Sequence, residues 1–361
     1  MREVRCDAPG RVNLIGEHTD YHDGYVLPCA VPQRTVALLR ARGDRLVRAS
    51  SRQMGPAAFE FEIGREQRGG GWGDYVQGLT WALSRHGLEV RGFDLRVDSD
   101  VPLGGGLSSS AALEIATLRA LRGMFELPLS DVQLAQLAQQ AEVEFVGAPV
   151  GIMDQMASSL ADQHHALFLD TRTLEVERIP LPSTLELVVI DSGVAHRHAS
   201  GDYVTRRRES EAAARALGVQ RLRDIGLDGL SRIAALPDLL ARRARHVVTE
   251  NQRVLDARLA LLAADLPLLG RLFTASHESQ RVDYEVSLVE IDELVSLAAA
   301  QPSVFGARLT GGGFGGAVVI AAASGSGAAV AAIVSAEYAR RTGRRPRTLV
   351  PRQENGRHAS W

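Results

Sequence analysis

The sequence of 361 residues contains no lysine, since its 41 basic residues are all arginines. This absence excludes several classes of enzyme that depend on a lysine amine. Walker A nucleotidases and enzymes of the protein-kinase type place a lysine on the phosphates of their nucleotide. Enzymes that form Schiff bases, including those that use pyridoxal phosphate, also need one. The chain belongs to none of these classes.

The sequence also has few cysteines, little net charge and no long apolar run. Cys6 and Cys29 are the only cysteines. They give neither a disulfide framework nor a zinc motif, and two free thiols fit a reducing compartment. With 41 basic against 43 acidic residues, the net charge of -2 offers no general attraction to nucleic acid. No signal-peptide region and no apolar run of about 18 residues is present. We expect a cytoplasmic protein that binds neither nucleic acid nor membrane.

Strand and helix patterns are mixed along the chain. β-Branched runs predict strands over Thr35–Arg40, Phe93–Asp98, Leu185–Asp191 and Ala317–Ala321. Helical periodicity predicts helices over Tyr75–Arg85, Ser110–Met124, Asp131–Phe145, Asp202–Ala216, His246–Ala264, 285–299 and 326–341. Without regular alternation of strand and helix, the class is α+β. The length suggests about two domains, and Pro180 and Pro182 place the boundary so that the domains span 1–181 and 182–361.

The clearest motif is a run of three glycines and three serines at the start of a predicted helix. Its residues are Gly104, Gly105, Gly106, Leu107, Ser108, Ser109, Ser110 and Ala111. Glycines allow close approach of the backbone to a ligand, and a helix N-terminus attracts anions. A tight turn with a serine cap is the simpler interpretation, but three residues of each type favour phosphate binding.

A second glycine-rich segment, Gly311–Gly316, matches the dinucleotide fingerprint in its spacing. That fingerprint requires a helix after the glycines, whereas the apolar run from Ala317 predicts a strand. The segment is therefore either a glycine-rich hairpin or backbone packed close to a substrate or to the first glycine loop.

Charged residues are concentrated near the N-terminus, where Arg11, Glu17, His18, Asp20 and Asp23 occupy one short segment. Carboxylates accept hydrogen bonds from sugar hydroxyls, and the spacing fits no known zinc pattern. We favour hydroxyl binding over metal binding, although a solvated polar loop is the alternative.

Two further carboxylates stand out by their positions. Asp154 lies among apolar residues, where a carboxylate needs a partner such as Arg11, unless it simply caps the following turn. Glu142 lies near the end of a predicted helix and could complete a Mg²⁺ site with a loop serine. A lone glutamate on a helix is more often just exposed.

Together these segments resemble the galactokinase branch of the GHMP small-molecule kinases. The resemblance rests on Arg11–Tyr21, Pro102–Ala112, Gly151–Gln155 and Thr310–Gly316, and extends to segments around Tyr203, Glu250 and Ser276. It implies an N-terminal domain like ribosomal protein S5 domain 2 and a ferredoxin-like C-terminal domain. It also implies transfer of the ATP γ-phosphoryl group to the anomeric hydroxyl of α-D-galactose.

The resemblance assigns roles residue by residue. Asp154 and Arg11 would be catalytic, with Asp154 either abstracting the sugar proton or orienting the hydroxyl. The sugar would be held by Glu17, His18, Asp20, Gly151, Asp154 and Tyr203. The phosphates of ATP would lie on Gly104–Ala111, with Trp72 and Tyr75 flanking the adenine. Ser110 and Glu142 would be the Mg²⁺ ligands, and the protein would be a monomer.

The chain departs from the family pattern at three positions. His22 stands where the family usually has asparagine, and Ser210 stands where it usually has cysteine. Ala195 stands where it usually has a basic residue, a role that His196 or Arg197 could fill. His22 and Ala195 leave open a related sugar as substrate, such as N-acetylgalactosamine, arabinose or galacturonate. A galactose sensor without catalysis is a further alternative, although the intact serine loop and Asp154 speak against it.

Overall fold

The computed structural model describes residues 2–194 and 199–350. Its strands are β1 Glu3–Asn13, β2 Tyr25–Val26, β3 Pro28–Ala41, β4 Leu46–Ser51, β5 Gly55–Glu62, β6 Phe93–Ser99, β7 His165–Asp170, β8 Val176–Pro180, β9 Leu185–Asp191, β10 Val304–Thr310, β11 Ala317–Ala323 and β12 Arg347–Val350. Its α-helices are α1 Gly73–Arg85, α2 Ser109–Phe125, α3 Asp131–Gln140, α4 Met153–Leu160, α5 Ala199–Ala216, α6 Leu230–Ala234, α7 Asp238–Leu262, α8 Leu266–Val282, α9 Val289–Ala299 and α10 Gly327–Thr342.

The first half of the chain forms a five-stranded sheet in the order β1-β3-β6-β4-β5. Its pairs are antiparallel except for β4 with β6, which run parallel. Helices α1 to α4 supply the apolar side chains that bury one face of this sheet, including Leu79, Leu118 and Leu134. Along β3, buried side chains alternate with partly buried ones, so the other face of the sheet is less completely covered.

The second half of the chain forms a four-stranded antiparallel sheet in the order β10-β11-β9-β12. One group of helices lies between β9 and β10, and α10 lies between β11 and β12. This is the strand–helix–strand–strand–helix–strand arrangement of the ferredoxin-like fold. The expected α+β class and the ferredoxin-like C-terminal half are confirmed.

A small third sheet, β2-β7-β8, lies at the junction of the two halves. The apolar cluster next to it combines Val12 and Leu27 from the first half with Val189, Val254 and Val319 from the second. The predicted boundary after residue 181 falls in the loop between β8 and β9. Because this cluster draws on both sides of that loop, the division into 1–181 and 182–361 stays a prediction.

The predicted strands all lie within observed ones, and the predicted helices all correspond to helices of the structure. The helix predicted over 285–299 begins later, at Val289, because Glu285 has a left-handed backbone conformation. The helix predicted through Phe145 is α-helical only to Gln140 and continues as a π-helical segment, Ala141–Val146. Within the described ranges, no helix is both long enough and apolar enough to cross a membrane.

Helix α8 and strand β10 approach each other so closely that their backbones touch. A methyl group on Gly270 would overlap the carbonyl oxygen of Phe305, and one on Gly306 would meet the backbone of Gly270. Only glycine at both positions allows this contact. It fixes β10 against α8, which matters because the loop after β10 enters the site described below.

We expect Gly270→Ala to lower the free energy of unfolding by about 1–3 kcal/mol, since the added methyl group must push α8 away from β10. Gly43→Ala is the matched control, because no atom lies within 4 Å of a methyl group there. Urea denaturation of both variants tests the prediction. A Gly270→Ala protein as stable as the control would contradict it.

Candidate active site

A β-bulge in the first strand directs Arg11 into the interior. The pairing of β1 with β3 shifts register between Pro9 and Arg11, and such bulges reorient side chains. The guanidinium donates through Nε to Asp154 Oδ1 at 2.7 Å and through Nη1 to the Gly106 carbonyl at 2.7 Å. Arg11 therefore joins the first turn of α4 to the glycine-serine loop.

The glycine-serine loop has an unusual backbone. Gly104, Gly106 and Ser108 all have positive φ, and Ser108 at +57° is one of the few non-glycine residues with that conformation. The Ser108 hydroxyl donates to Asp154 Oδ2, so both oxygens of this carboxylate are held. Strained backbone of this kind persists where the surrounding structure enforces it, commonly at functional sites. The loop and Asp154 thus form one unit.

The two glycine-rich loops lie against each other. A methyl group on Gly311 would sit 3.7 Å from the Gly106 carbonyl oxygen, and one on Gly106 would sit 3.7 Å from the Ala317 nitrogen. Strand β11 follows the second loop directly, so the dinucleotide interpretation is excluded. Of the alternatives for this segment, the structure shows packing against the first loop.

A cavity of about 200 Å³, the small cavity, opens beside Asp154. Five of the six residues predicted to hold the sugar line it, namely His18, Asp20, Gly151, Asp154 and Tyr203. Arg11 and the loop residues Gly311 and Gly312 complete much of its wall. The lining combines carboxylates with ring and backbone groups, which is the donor and acceptor mixture that a polyhydroxylated ligand needs.

Gly151 and Asp20 fit together without spare room. A methyl group on Gly151 would overlap the Asp20 carboxylate. Burial and the nearby charge of Asp154 raise the pKa of Asp20 to about 6. Two carboxylates in one cavity repel each other, and hydroxyl donors from a ligand would relieve that repulsion.

Glu17 lies behind the small cavity rather than on its wall. One carboxylate oxygen is paired with Arg308, and the other accepts from the Gly311 amide at 3.1 Å. Glu17 therefore sets the position of the second glycine loop. Its direct contact with a sugar stays a prediction, which the free lone pairs of its oxygens allow.

The predicted metal ligands, Ser110 and Glu142, lie close together, and Ser110 is one of the groups that favour the charged form of Glu142. Glu142 is buried and accepts from Gln155 Nε2 at 2.7 Å. Burial, together with the charge of Asp154, raises its pKa to about 7. A second buried carboxyl, Glu114, lies beside it, and its Oε1 has no hydrogen-bond partner in the described part of the protein. Among the described residues, no group of three or more histidine, cysteine or acidic side chains is arranged to hold a metal alone.

Trp72 and Tyr75 lie at the start of α1. Trp72 packs against the apolar core of the first half. Tyr75 is partly buried, and this burial with the charges of Glu142 and Glu114 raises its pKa to about 12. Tyr75 thus lies near the predicted metal ligands, as a nucleotide-binding residue would. The contact of both rings with adenine stays a prediction.

A larger cavity of about 800 Å³ adjoins the small one and shares Val150, Tyr203 and Gly312 with it. Ser110 and Arg208 are also on its wall. The departure at Ala195 lies outside the described residues. The same is true of His196 and Arg197, which could substitute for the usual basic residue.

Sequence reasoning assigned no role to four residues that support the region of the site: Glu114, Tyr284 and Arg308, which are buried, and Arg207, which is partly buried. Arg308 could have been noticed as a charged residue inside a strand-like run just before the second glycine loop. Arg207 donates to the Pro149 carbonyl at 2.9 Å, which ties α5 to the segment before Gly151. Nothing in the local sequence marks the other two, since their partners lie far away along the chain.

Comparison with known proteins assigns this geometry to a family. A model described as the galactokinase galactose-binding signature matches residues 2–41. Models of the GHMP kinase N-terminal and C-terminal domains match residues 74–162 and 257–347. The galactokinase of Chloroflexus aurantiacus is 47% identical over 352 residues, which cover 95% of this chain and 90% of that protein. The chain belongs to the galactokinase family.

Solved structures of the family agree with this membership. The Lactococcus lactis galactokinase complexed with galactose superposes with a TM-score of 0.91 at 33% identity, covering 96% of this chain and 92% of that one. The Methanococcus jannaschii mevalonate kinase shares the fold, with a TM-score of 0.69 at 16% identity. The GHMP kinase fold is thereby confirmed for both halves, and as a galactokinase-family member the protein is a phosphotransferase that uses ATP.

His22, one of the three departures from the galactokinase pattern, is buried in the same turn as Asp20. Its Nε2 lies 2.8 Å from Ser210 Oγ, so two of the departures are hydrogen-bonded to each other. Burial, and secondarily the charges of Arg221 and Arg207, lowers the pKa of His22 from 6.5 to about 3. The folded protein thus holds His22 neutral over a range in which the unfolded chain takes up a proton.

Because its pKa is depressed, His22 contributes stability above about pH 6.5 and loses it as the pH falls toward 3. We expect the difference in free energy of unfolding between wild type and His22→Asn to be constant above that pH. Below about pH 6.5, the free energy of unfolding of wild type should fall relative to that of His22→Asn by roughly 1 kcal/mol per pH unit, because the unfolded wild-type chain takes up a proton on His22. Urea denaturation at several pH values measures it, and curves that stay parallel would contradict it.

Proposed function

We propose that the protein transfers the γ-phosphoryl group of ATP to the anomeric C1 hydroxyl of α-D-galactose, producing galactose 1-phosphate and ADP. The observation that carries this proposal is the contact of Arg11 with both Asp154 and Gly106. One guanidinium connects the small cavity, suited to a sugar, with the loop suited to phosphates. Acceptor and donor are then held on either side of Asp154.

Positioning and charge neutralisation account for most of the catalysis of phosphoryl transfer. In a chain without lysine, the amides at the start of α2, Arg11 and the serines of the loop are the groups available to meet the phosphate oxygens. Asp154 accepts hydrogen bonds from Arg11 and Ser108. A sugar hydroxyl in the small cavity would be the third group to share this carboxylate, which orients that hydroxyl toward the phosphate loop and can take its proton.

Ser110 and Glu142 fit the Mg²⁺ that ATP-dependent transfer needs. Glu142 and Glu114 are neighbouring buried carboxyls, and Glu114 Oε1 has no hydrogen-bond partner among the described residues. A bound cation would therefore be an attractive partner for this pair. Mg²⁺ commonly takes one or two protein oxygen ligands and completes its shell with phosphates and water. The bound ion would neutralise phosphate charge.

Galactose-dependent release of ADP from Mg·ATP, tested against a panel of sugars, checks the activity directly. Release of ADP with another sugar of the panel would support a kinase with a different substrate, which is the alternative that His22 leaves open. Binding of galactose without release of ADP from any sugar would instead indicate a sensor.

Asp154→Asn should lower kcat about 10²- to 10⁴-fold, because the amide can neither accept the proton nor pair with Arg11 as a charge. The fold should be kept, since the side chains have the same shape. Asp170→Asn is the control, because Asp170 is also paired with an arginine, Arg223, but lies in the small third sheet. Steady-state ADP release measures both, and a near-normal kcat of Asp154→Asn would refute the assigned role.

Glu142→Gln should raise the Mg²⁺ concentration that gives half-maximal activity about tenfold or more, because it removes a charged ligand. Glu144→Gln is the matched control, since Glu144 lies two residues further along the same π-helical segment with an exposed side chain. Titration of activity with Mg²⁺ separates the two variants. Equal requirements would argue against a metal site at Glu142.

A further inference from the structure

The second glycine loop, Gly311–Gly316, contains one residue with a side chain, Phe314. Its φ of +58° lies in the left-handed region, which every glycine of the loop except Gly312 also adopts. A residue with a side chain carries a free-energy penalty in this conformation, because its Cβ approaches the following carbonyl oxygen. A sixth glycine would adopt the same backbone without that penalty. The ring of Phe314 must therefore make contacts that outweigh it.

The ring of Phe314 contacts both a cation and an apolar core. The guanidinium of Arg206, which belongs to α5, lies over the ring with its Cζ 5.6 Å from the ring centroid. A guanidinium in that position is attracted electrostatically to the negative face of the ring. The ring also packs against the apolar core of the second half, which contains Val286 and Leu309. Helix α5 and this core thus hold the one side chain that the loop offers.

Arg206 is fixed in direction by hydrogen bonds to the same segment of backbone that holds the loop. Its Nε donates to the Tyr284 carbonyl at 2.8 Å, and its Nη2 donates to the Glu285 carbonyl at 3.3 Å. The next carbonyl, that of Val286, accepts from the Phe314 amide at 2.6 Å. Phe314, Arg206 and the three carbonyl groups that they contact therefore form a closed unit, which we call the Phe314 anchor.

The anchor acts on a wall that the two cavities share. Gly311 and Gly312 line the small cavity, and Gly312 and Gly313 line the larger one. A methyl group on Gly313 would overlap the Val286 carbonyl oxygen, so the loop also touches the anchor through its backbone. On its other side the loop packs against Gly106 of the glycine-serine loop. The anchor therefore sets how far this shared wall stands from the glycine-serine loop.

We propose that the Phe314 anchor positions the binding wall of both substrates by holding the second glycine loop against the glycine-serine loop. Phe314 and Arg206, both within the described part of the chain, lie outside the walls of the two cavities. They are positioning residues that act through Gly311–Gly313. Loss of the anchor lets the shared wall move, which weakens the binding of galactose and ATP together. The identity of the substrates rests on the proposed function, whereas the position of the loop does not.

The first test measures the loop without any substrate. Amide hydrogen exchange of the peptide that contains residues 311–316 reports how often this backbone opens. In Phe314→Leu and Arg206→Gln the peptide should exchange about tenfold faster than in wild type, because the contact between cation and ring is lost. Phe168→Leu is the matched control, since Phe168 is also partly buried, with the Arg258 Cζ 5.4 Å from its ring centroid, but lies in β7. Unchanged exchange in both loop variants overturns the proposal, whatever the enzyme assay shows.

The second test asks whether the anchor serves both substrates. Phe314→Leu should raise the KM for galactose and the KM for ATP together, each about 3- to 10-fold, because Gly312 lines both cavities. The kcat should stay within about threefold, since Arg11 and Asp154 keep their own contacts. Phe168→Leu should leave all three constants unchanged. A change in only one KM, or in neither, would contradict a shared wall. Absence of any galactose turnover by wild type would refute the proposed function instead, and the exchange test would still decide the anchor.

Two further variants separate the ring from the backbone. Phe314→Gly removes the penalty of the left-handed conformation, so a ring without a function would leave this variant binding at least as tightly as wild type. We expect instead the same rise in both KM values as in Phe314→Leu. The double variant Phe314→Leu with Arg206→Gln should not exceed the larger single effect, since both changes break one contact. Fully additive effects would refute the anchor. Thermal denaturation confirms that each variant is folded, and Arg206→Gln carries both tests if Phe314→Leu is not.

Discussion

The buried guanidinium of Arg308 holds the site together. It lies in β10, fully buried, where it is paired with Glu17, lies 3.7 Å from Glu250 and donates to the Leu14 carbonyl at 2.8 Å. Although burial opposes it, the charge of Arg308 with that of Arg253 lowers the pKa of Glu250 to about 2. Arginine keeps its proton under all physiological conditions. The Arg308 side chain therefore fixes the segment after β1 against α7 and β10. The second glycine loop comes directly after β10, so its position depends on the same contacts.

Arg11 plays the complementary part on the other side of the small cavity. Arg308 fixes the wall of the cavity, whereas Arg11 joins the cavity to the glycine-serine loop, because it donates hydrogen bonds to Asp154 and to the Gly106 carbonyl. Neither cation could be exchanged for a lysine without loss, since each uses several N–H groups in fixed directions. Because arginine is the only basic residue type besides histidine in this chain, its composition suits such a site. The composition alone did not reveal which arginines form it.

Local patterns predicted the elements whose periodicity is strong. The predicted strands and helices, the two glycine loops and six of the residues that line the small cavity were identified this way or through the resemblance. Several elements were missed. Strand β1 carries Pro9, Gly10 and a bulge that break its alternation, and α8 contains Gly270, required by contact with β10. The inner supports of the site, such as Tyr284 and Glu114, have partners distant in sequence, so no local pattern marks them.

The small cavity draws its walls from both ends of the chain. Arg11 comes from the first strand, and Gly311 and Gly312 follow the tenth. A ribosome releases the N-terminal half first, and that half can begin to fold while the rest is being made. The ligand site cannot close until β10 and its loop have emerged. Protein synthesis interrupted before that point leaves a chain without the cavity wall that Gly311 and Gly312 form, so sugar binding reports that synthesis has passed the second glycine loop.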